Sequence, residues 1–419
     1  MSGPLEGIRV LDFTSAWAGP MATRCLAFLG AEVVKIEGPN RLDSWRDTVR
    51  GVEPARYPDM QRGERPYNRS SRFNSQNHDK LDLVVDLKHP QARGLMLRLA
   101  RQCDVVIDNF SPGVLRRLGL GYEDFRTARP DIVMVEMPAY GNTGPEADNV
   151  AFGPNMEAMA GMASMIGYGD GVPVTTSGAY LDPIGGLHGA GAVLTALIHR
   201  QRTGQGQYVE VPQRETAMQT IGELLLQQIE TGETFAPHGN RIPGAAPHEA
   251  FPCRGEEEWV AIAAFTEGEW RSLCAAIGRP ALLTDPRFCT LLDRKRNEDA
   301  LEAEVAAWTR RHTKEEAAAL LQAHGVTAAP VATGRDIFAD EQLDALGFYV
   351  ELDHADAGRH RYPGLAFHLG ATPGVIRRPP PLFAEHNRHV LVDRFGLSQE
   401  EYAALEGDGV IASAPLGRE

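Results

Sequence analysis

The sequence predicts an α/β fold on a mostly parallel sheet, followed by a smaller second domain. Two observations carry this reading. Over the first 140 residues, short β-branched runs alternate with helical patterns, and strand–helix repeats of this length imply right-handed crossovers. Near 230–250 the composition breaks: TGETFAPHGNRIPGAAPHEAF is rich in Gly, Pro and Ala and reads as a linker.

In chain order, IRVLDF (8–13) is strand-like, and PMATRCLAFLG (20–30) is an amphipathic helix opening at Pro20 and closing at Gly30. AEVVKIE (31–37) is a second strand. LDLVVDL, HPQARGLMLRLARQC, DVVIDNF, SPGVLRRLG and DIVMVEM continue the alternation, and GQYVEV (206–211) adds a strand after a long helical stretch. WVAIAAF (259–265) opens a region dominated by helices, and a Pro-rich tail (377–391) leads to a last helix.

With 419 residues, 43% hydrophobic and 23% charged, the chain has the composition of a globular protein of about two domains. The net charge of −14 argues against general nucleic-acid or membrane-surface binding, because phosphate-tracking surfaces are basic. Five widely spaced cysteines without CxxC spacing fit reduced thiols rather than a disulfide framework or a zinc site. MSGPLEGIRVLDF lacks a signal-type apolar core, and no apolar run approaches 18 residues. The expectation is a soluble, cytoplasmic protein.

Ligands of parallel α/β sheets sit at the carboxyl ends of the strands. Here those ends are TSAWAGP (14–20), EGPNR (37–41), DNFSPG (108–113) and PAYGNTGP (138–145). No GxGxxG follows the first strand, and there is no Walker lysine loop and no GxSxG elbow. The histidines of HNRH (386–389) have no third ligand nearby and read as solvated, so no metal site is expected.

One stretch stands out: YLDPIGGLHGAG (180–191). Helix grammar makes Asp182 an N-cap and Pro183 the first helical residue, with Gly204 beyond the end. Yet Gly185, Gly186, Gly189 and Gly191 would cost roughly 4 kcal/mol at ~1 kcal/mol each, a large share of a domain's ~5–15 kcal/mol. Either close helix packing or a bulky ligand beside a reactive Asp182 would offset that cost.

PLEGIRVLDFTSAWAGPMATRCLAFLGAEVVKIEGP, NHDKLDLVVDLK, DNFSPGVLRRLG, YGNTGP, the Asp182 segment with ALIHRQRTGQGQYVEV, APHEAFPCRGEEEWVAIA, HGVTAAPV and PPLFAEHNRHVL occur in an order that resembles the class III (CaiB/BaiF-type) CoA-transferases. The resemblance implies a Rossmann-like large domain over 1–225 completed by 385–419, a small α+β domain over 251–345, linkers at 226–250 and 346–384, and an interlocked homodimer. It implies coenzyme A and acyl-CoA as substrates, with no permanently bound cofactor. Asp182 matches the family nucleophile: a carboxylate is ionised at neutral pH and needs no general base to attack a thioester. Ser15, Ala16, Trp17 and Ala18 match a loop near the thioester. Asn109 and Phe110 match residues at the adenosine end, Arg117 a phosphate-binding arginine, and Lys80 a basic residue near the nucleotide. Leu118 and Tyr140 complete the implied CoA-binding set.

There are departures. Trp17 stands where formyl-CoA transferases carry a glutamine, Gly38 where they carry a nucleotide-facing arginine that Arg41 or Arg46 would replace, and Pro138 where they carry a lysine. Their glycine-only loop has no counterpart. These differences argue against oxalate and formate and for a larger, partly apolar acid, with succinyl-CoA a reasonable donor. The alternative on the same fold is a 2-methylacyl-CoA racemase. That reaction needs a second acid/base, and Phe152 occupies its position, where a phenyl ring moves no proton.

Overall fold

The computed structural model describes residues 3–46, 53–168, 172–176 and 178–416. Its elements are β1 (Arg9–Asp12), α1 (Ala18–Phe28), β2 (Glu32–Glu37), α2 (Ser71–Asn77), β3 (Leu81–Val84), α3 (Ala92–Ala100), β4 (Val105–Asp108), α4 (Val114–Arg117), α5 (Tyr122–Ala128), β5 (Val133–Glu136), α6 (Gly153–Met159), α7 (Leu181–Thr203), β6 (Tyr208–Glu210), α8 (Gln213–Gln219) and α9 (Gly222–Thr231). These are followed by β7 (His248–Pro252), β8 (Trp259–Ala263), α10 (Glu267–Ala276), α11 (Leu291–Arg296), α12 (Glu298–Thr309), α13 (Lys314–Ala323), β9 (Thr327–Pro330), α14 (Gly334–Phe338), α15 (Glu341–Ala345), β10 (Tyr349–His354), β11 (Gly358–Pro363) and α16 (Gln399–Gly407). Two compact units result: Met1–Ala163 with Thr175–Gly232 and Ala345–Glu419, and Ser164–Val174 with Glu233–Asp344.

The first unit holds a six-stranded sheet, every neighbouring pair parallel, in the order β3-β2-β1-β4-β5-β6. Its strands are apolar on both faces because both faces are covered. Val10, Val33, Val105, Ile107, Val133 and Val135 pack on one side against Ala22 and Leu26 of α1 and Ala190, Val193 and Leu197 of α7. Leu11, Val34, Leu83, Val106 and Met134 pack on the other against Leu95, Met96 and Leu99 of α3, Phe125 of α5, and Val390, Leu391, Phe395, Val410 and Ile411. Each such side chain contributes about 1.5–3 kcal/mol relative to exposure. Strand order reverses between β1 and β4, so their carboxyl ends diverge into a crevice, the switch point where open α/β sheets bind ligands.

Three boundaries differ from the sequence reading. Helix α1 begins at Ala18, ahead of Pro20, because proline fits the first turn, where its missing N–H is not needed. Segment 346–384 is not a bare linker: it carries the antiparallel hairpin β10–β11, which belongs to the first unit. The stretch from 226 is still helical, since α9 runs to Thr231.

In the second unit, the antiparallel sheet β7–β8–β9 packs Phe251, Val260 and Ile262 against Trp270, Leu273, Phe288, Leu301, Val305 and Leu321. Thr266 and Thr313 cap α10 and α13 through reciprocal bonds with Glu269 and Glu316.

Candidate active site

The loop after β1 is held from beneath by buried charges. Asp12 is fully buried, and its carboxylate accepts from Thr14 N–H (2.9 Å), the Thr14 and Thr23 hydroxyls (2.5 and 2.6 Å) and Lys80 Nζ (3.1 Å). Burial opposes its ionisation, but Lys80, Lys35 and the two hydroxyls outweigh this and hold the carboxyl below its usual range. Lys35 Nζ donates to Thr14 O and to Asp43 Oδ2 (2.8 Å each), and Asp43 Oδ1 accepts from Ala16 N–H at 3.0 Å. Ala16 needs that support, since its φ of +63° is left-handed and costs a non-glycine residue about 1–3 kcal/mol. Trp17 then sits at the cap of α1, its ring 5.3 Å from that of Trp45, and Ala18 is buried.

Asn109, just past β4, clamps the same loop: its Oδ1 accepts from Ser15 N–H (2.8 Å) and its Nδ2 donates to Ser15 O (2.9 Å). Phe110 and Leu118 are half-buried against the α3/α5-side core. Gly113 has φ +71°, and a Cβ there would lie 3.0 Å from Arg116 Nη2 and 3.2 Å from Arg117 Nη1, so both guanidiniums converge over this turn. Arg117 Nη1 donates to Pro112 O at 3.2 Å. Among the described residues neither arginine meets a carboxylate, which leaves both guanidiniums available to an anionic ligand.

The head of α7 completes the site. A Cβ on Gly186 would meet Ala18 O and Met21 Cβ at 2.7 Å, one on Gly189 would meet Met137 Sδ at 2.7 Å, and one on Gly185 would meet Gln213 Cγ at 3.2 Å. Three of the four glycines are therefore explained by α7 lying hard against α1 and the ends of β5 and β6, while Gly191 faces open space. Helix α7 has the length and apolar content of a membrane span, but this glycine face is buried as in a core helix. Asp182 is the second residue of the helix, not its N-cap: Tyr180 holds that position, and Asp182 N–H bonds Ala179 O at 3.1 Å. Gly204 closes the helix with φ +73°.

The Asp182 carboxylate is half-buried and has no hydrogen-bond partner among the described residues. Its Oδ2 lies against α6, where a Cβ on Gly153 would come within 2.7 Å. Burial, reinforced by the Glu157 carboxylate, pushes its carboxyl up to about 6. Tyr140 is buried beside Leu181, Met156 and Ala217, with the Arg214 guanidinium 5.2 Å from its ring. Phe152 and Tyr180, at the N-caps of α6 and α7, are 73% and 58% exposed.

The structure thus brings Ser15–Ala18, Asn109 and the head of α7 together at the carboxyl ends of β1 and β4, with Arg116 and Arg117 following β4 on α4. It does not bring Lys80 or Arg46 there. Lys80 is fully buried and donates to Asp12, Pro20 O, Thr23 and Asn77. Its ammonium is saturated by the core and has no proton left for a nucleotide, and burial pulls it down to about 8. Arg46 is equally buried, bonded to Glu37 at 2.6 Å and stacked on Phe73 at 3.6 Å. Arg41 is exposed. Sequence reasoning missed Glu157, Asp43 and Gln213; Glu157 and Gln213 meet partners 19 to 76 residues away, and Asp43 meets Lys35 of β2 and Ala16 27 residues back.

The CoA-transferase family III model matches residues 5–387. The chain belongs to CoA-transferase family III. Its activity class is therefore CoA transfer, with CoA thioesters as substrates. This family III chain is 30% identical over 411 residues to a succinyl-CoA–D-citramalate CoA-transferase of Chloroflexus aurantiacus, covering 97% of this chain and 98% of the relative. It is 28% identical over 443 residues to a formyl-CoA:oxalate CoA-transferase of Afipia carboxidovorans, covering both chains fully. Among solved structures, a CaiB/BaiF family protein from Brucella suis superposes with a TM-score of 0.85 at 26% identity, over 94% of this chain and all of that one.

Proposed function

We propose that this transferase moves coenzyme A from an acyl-CoA donor to a free carboxylic acid through covalent intermediates on Asp182. The observation that carries the reading is an unpartnered, half-buried carboxylate set where α7 meets the loop after β1, at the sheet's switch point. With its carboxyl pushed up to about 6, Asp182 is still mostly ionised at pH 7.5. An Asp182 oxygen attacks the thioester carbonyl, the C–S bond breaks, and a mixed anhydride and CoA thiolate form. The thiolate attacks the aspartyl carbonyl of the anhydride, releasing the first acid and leaving an aspartyl-CoA thioester. The acceptor carboxylate attacks that thioester, and the returning thiolate takes the new acyl group and frees Asp182. Every step joins acyl species of similar energy, and the anhydride must be kept from water.

Arg116 and Arg117 suit the phosphates of CoA, and Ala16–Ala18 the thioester end. The aromatic rings of Trp17, Phe152 and Tyr180 favour an acceptor acid with an apolar body, and the Chloroflexus relative makes succinyl-CoA the donor to try first. A homodimer is supported by α9, which has no buried residue and exposes Leu226 and Ile229. Mass spectrometry of CoA exchange against a panel of acids, with Asp182→Ala as control, tests the assignment: exchange that survives the substitution overturns it.

A further inference from the structure

We propose that Glu157 is a positioning residue for Asp182, holding the turn that delivers the nucleophile from the opposite side of the site. The inference rests on the assignment of Asp182 above. Glu157 is completely buried in α6. Its carboxylate accepts from Thr176 N–H (2.8 Å), the Thr176 hydroxyl and Tyr180 N–H (2.8 Å). Among the described residues no Lys, Arg or His pairs with it. A buried carboxylate with no counter-ion is expensive, by several kcal/mol, and an apolar residue would fill α6 at lower cost. Its placement has another explanation.

The donors show what that is. They are the Thr176 and Tyr180 backbone N–H groups and the Thr176 hydroxyl, on the turn closed by Ala179 N–H on Thr176 O (3.4 Å) that leads into Asp182. Inside this turn Ala179 holds a left-handed φ of +48°, a conformation that persists only where surrounding contacts enforce it. Gly153 lies one helical turn before Glu157 and shares its face. A Cβ at Gly153 would fall 2.3 Å from Ala179 Cβ and 2.7 Å from Asp182 Oδ2. Helix α6 therefore acts twice: at Gly153 it makes room for the reactive carboxylate, and at Glu157 it fastens the strained segment that carries it.

The arrangement has an electrostatic consequence. Glu157 is the charged group facing Asp182 from α6. From α8 the nearest side chain to the head of α7 is the neutral Gln213, and Arg214 is taken up by Glu146. On α7 itself, His188 is turned onto Ile184 O. Burial raises the Asp182 carboxyl and its basicity, and this like charge adds to the effect.

The test compares Glu157→Gln and Thr176→Val with the wild type. In Glu157→Gln the charge is gone and an amide N–H confronts Thr176 N–H. The expected result is a kcat lowered about 10–100-fold with little change in KM for acyl-CoA. The acid limb of kcat/KM should move down from about 6 by roughly half a pH unit or more. Thr176→Val removes one donor from the turn and leaves the charge, so kcat falls and the limb stays. A folded Glu157→Gln enzyme with unchanged kcat and limb overturns the proposal. If that variant does not fold, an unchanged kcat in Thr176→Val overturns it. Mass spectrometry of the wild type separates the two levels. An acyl adduct on Asp182 with indifferent variants refutes the Glu157 role alone, whereas no adduct removes the nucleophile and this role together.

Discussion

Asp182→Asn should both inactivate and stabilise. The substitution keeps the shape of the side chain and removes its charge. In the fold, burial and Glu157 push the Asp182 carboxyl up to about 6, against about 3.9 in an unfolded chain. The gap corresponds to roughly 3 kcal/mol at ~1.36 kcal/mol per pH unit, and partial exposure of the carboxylate reduces this to about 1–2 kcal/mol. The sign follows from proton counting: between pH 4 and 6 the folded state holds the proton that the unfolded state has lost, so raising the pH destabilises the wild type. Asparagine does not titrate. The variant should therefore gain nothing at pH 4, gain progressively through pH 6, and keep the full 1–2 kcal/mol at pH 8. In a chain of 419 residues that amounts to about 1–2 °C at the midpoint. Thermal melts at pH 4, 6 and 8, beside an exchange assay, read both effects. Equal melting at every pH would refute the electrostatic description of the site. Retained exchange would refute the chemistry.

Other outcomes follow from neighbouring contacts. Gly186→Ala should destabilise by about 1–3 kcal/mol through collision with Ala18 O and Met21, despite a better helix propensity. Gly191→Ala meets nothing within 4 Å and should gain up to about 1 kcal/mol; urea titration distinguishes the two. Lys80→Met leaves the Asp12 carboxylate buried without its nearest cation, so a loss of about 3–5 kcal/mol is expected, far exceeding any change in KM for acyl-CoA. Arg116→Ala with Arg117→Ala should raise KM for acyl-CoA about tenfold or more at low salt and blunt its salt dependence, with thermal stability unchanged.

The sheet was legible because its strands are covered on both faces. Runs such as DVVID and DIVMV are apolar without interruption, and turn residues close them. The loops after β1 and β4 could be picked out as candidate ligand loops from strand ends alone. Lys80 could not be placed, because its neutralising partner Asp12 is 68 residues away and nothing local distinguishes a saturated ammonium from a free one. The hairpin β10–β11 was hidden for the opposite reason: YVELDHADAGRHRYP is mostly polar, since exposed side chains pair charge across the ribbon, as Glu351 does with Arg359. The glycines of α7 announced a constraint, but only the fold distinguishes Gly186, which is wedged, from Gly191, which is not.

That wedge has a consequence for how steadily the nucleophile is aimed. Helix α7 is seated on α1 where Gly186 closes on the Ala18 carbonyl and the stem of Met21. A rod keyed in this way cannot roll or slide by an ångström without lifting off its bed. The backbone that carries the acid at its tip shares in that stiffness.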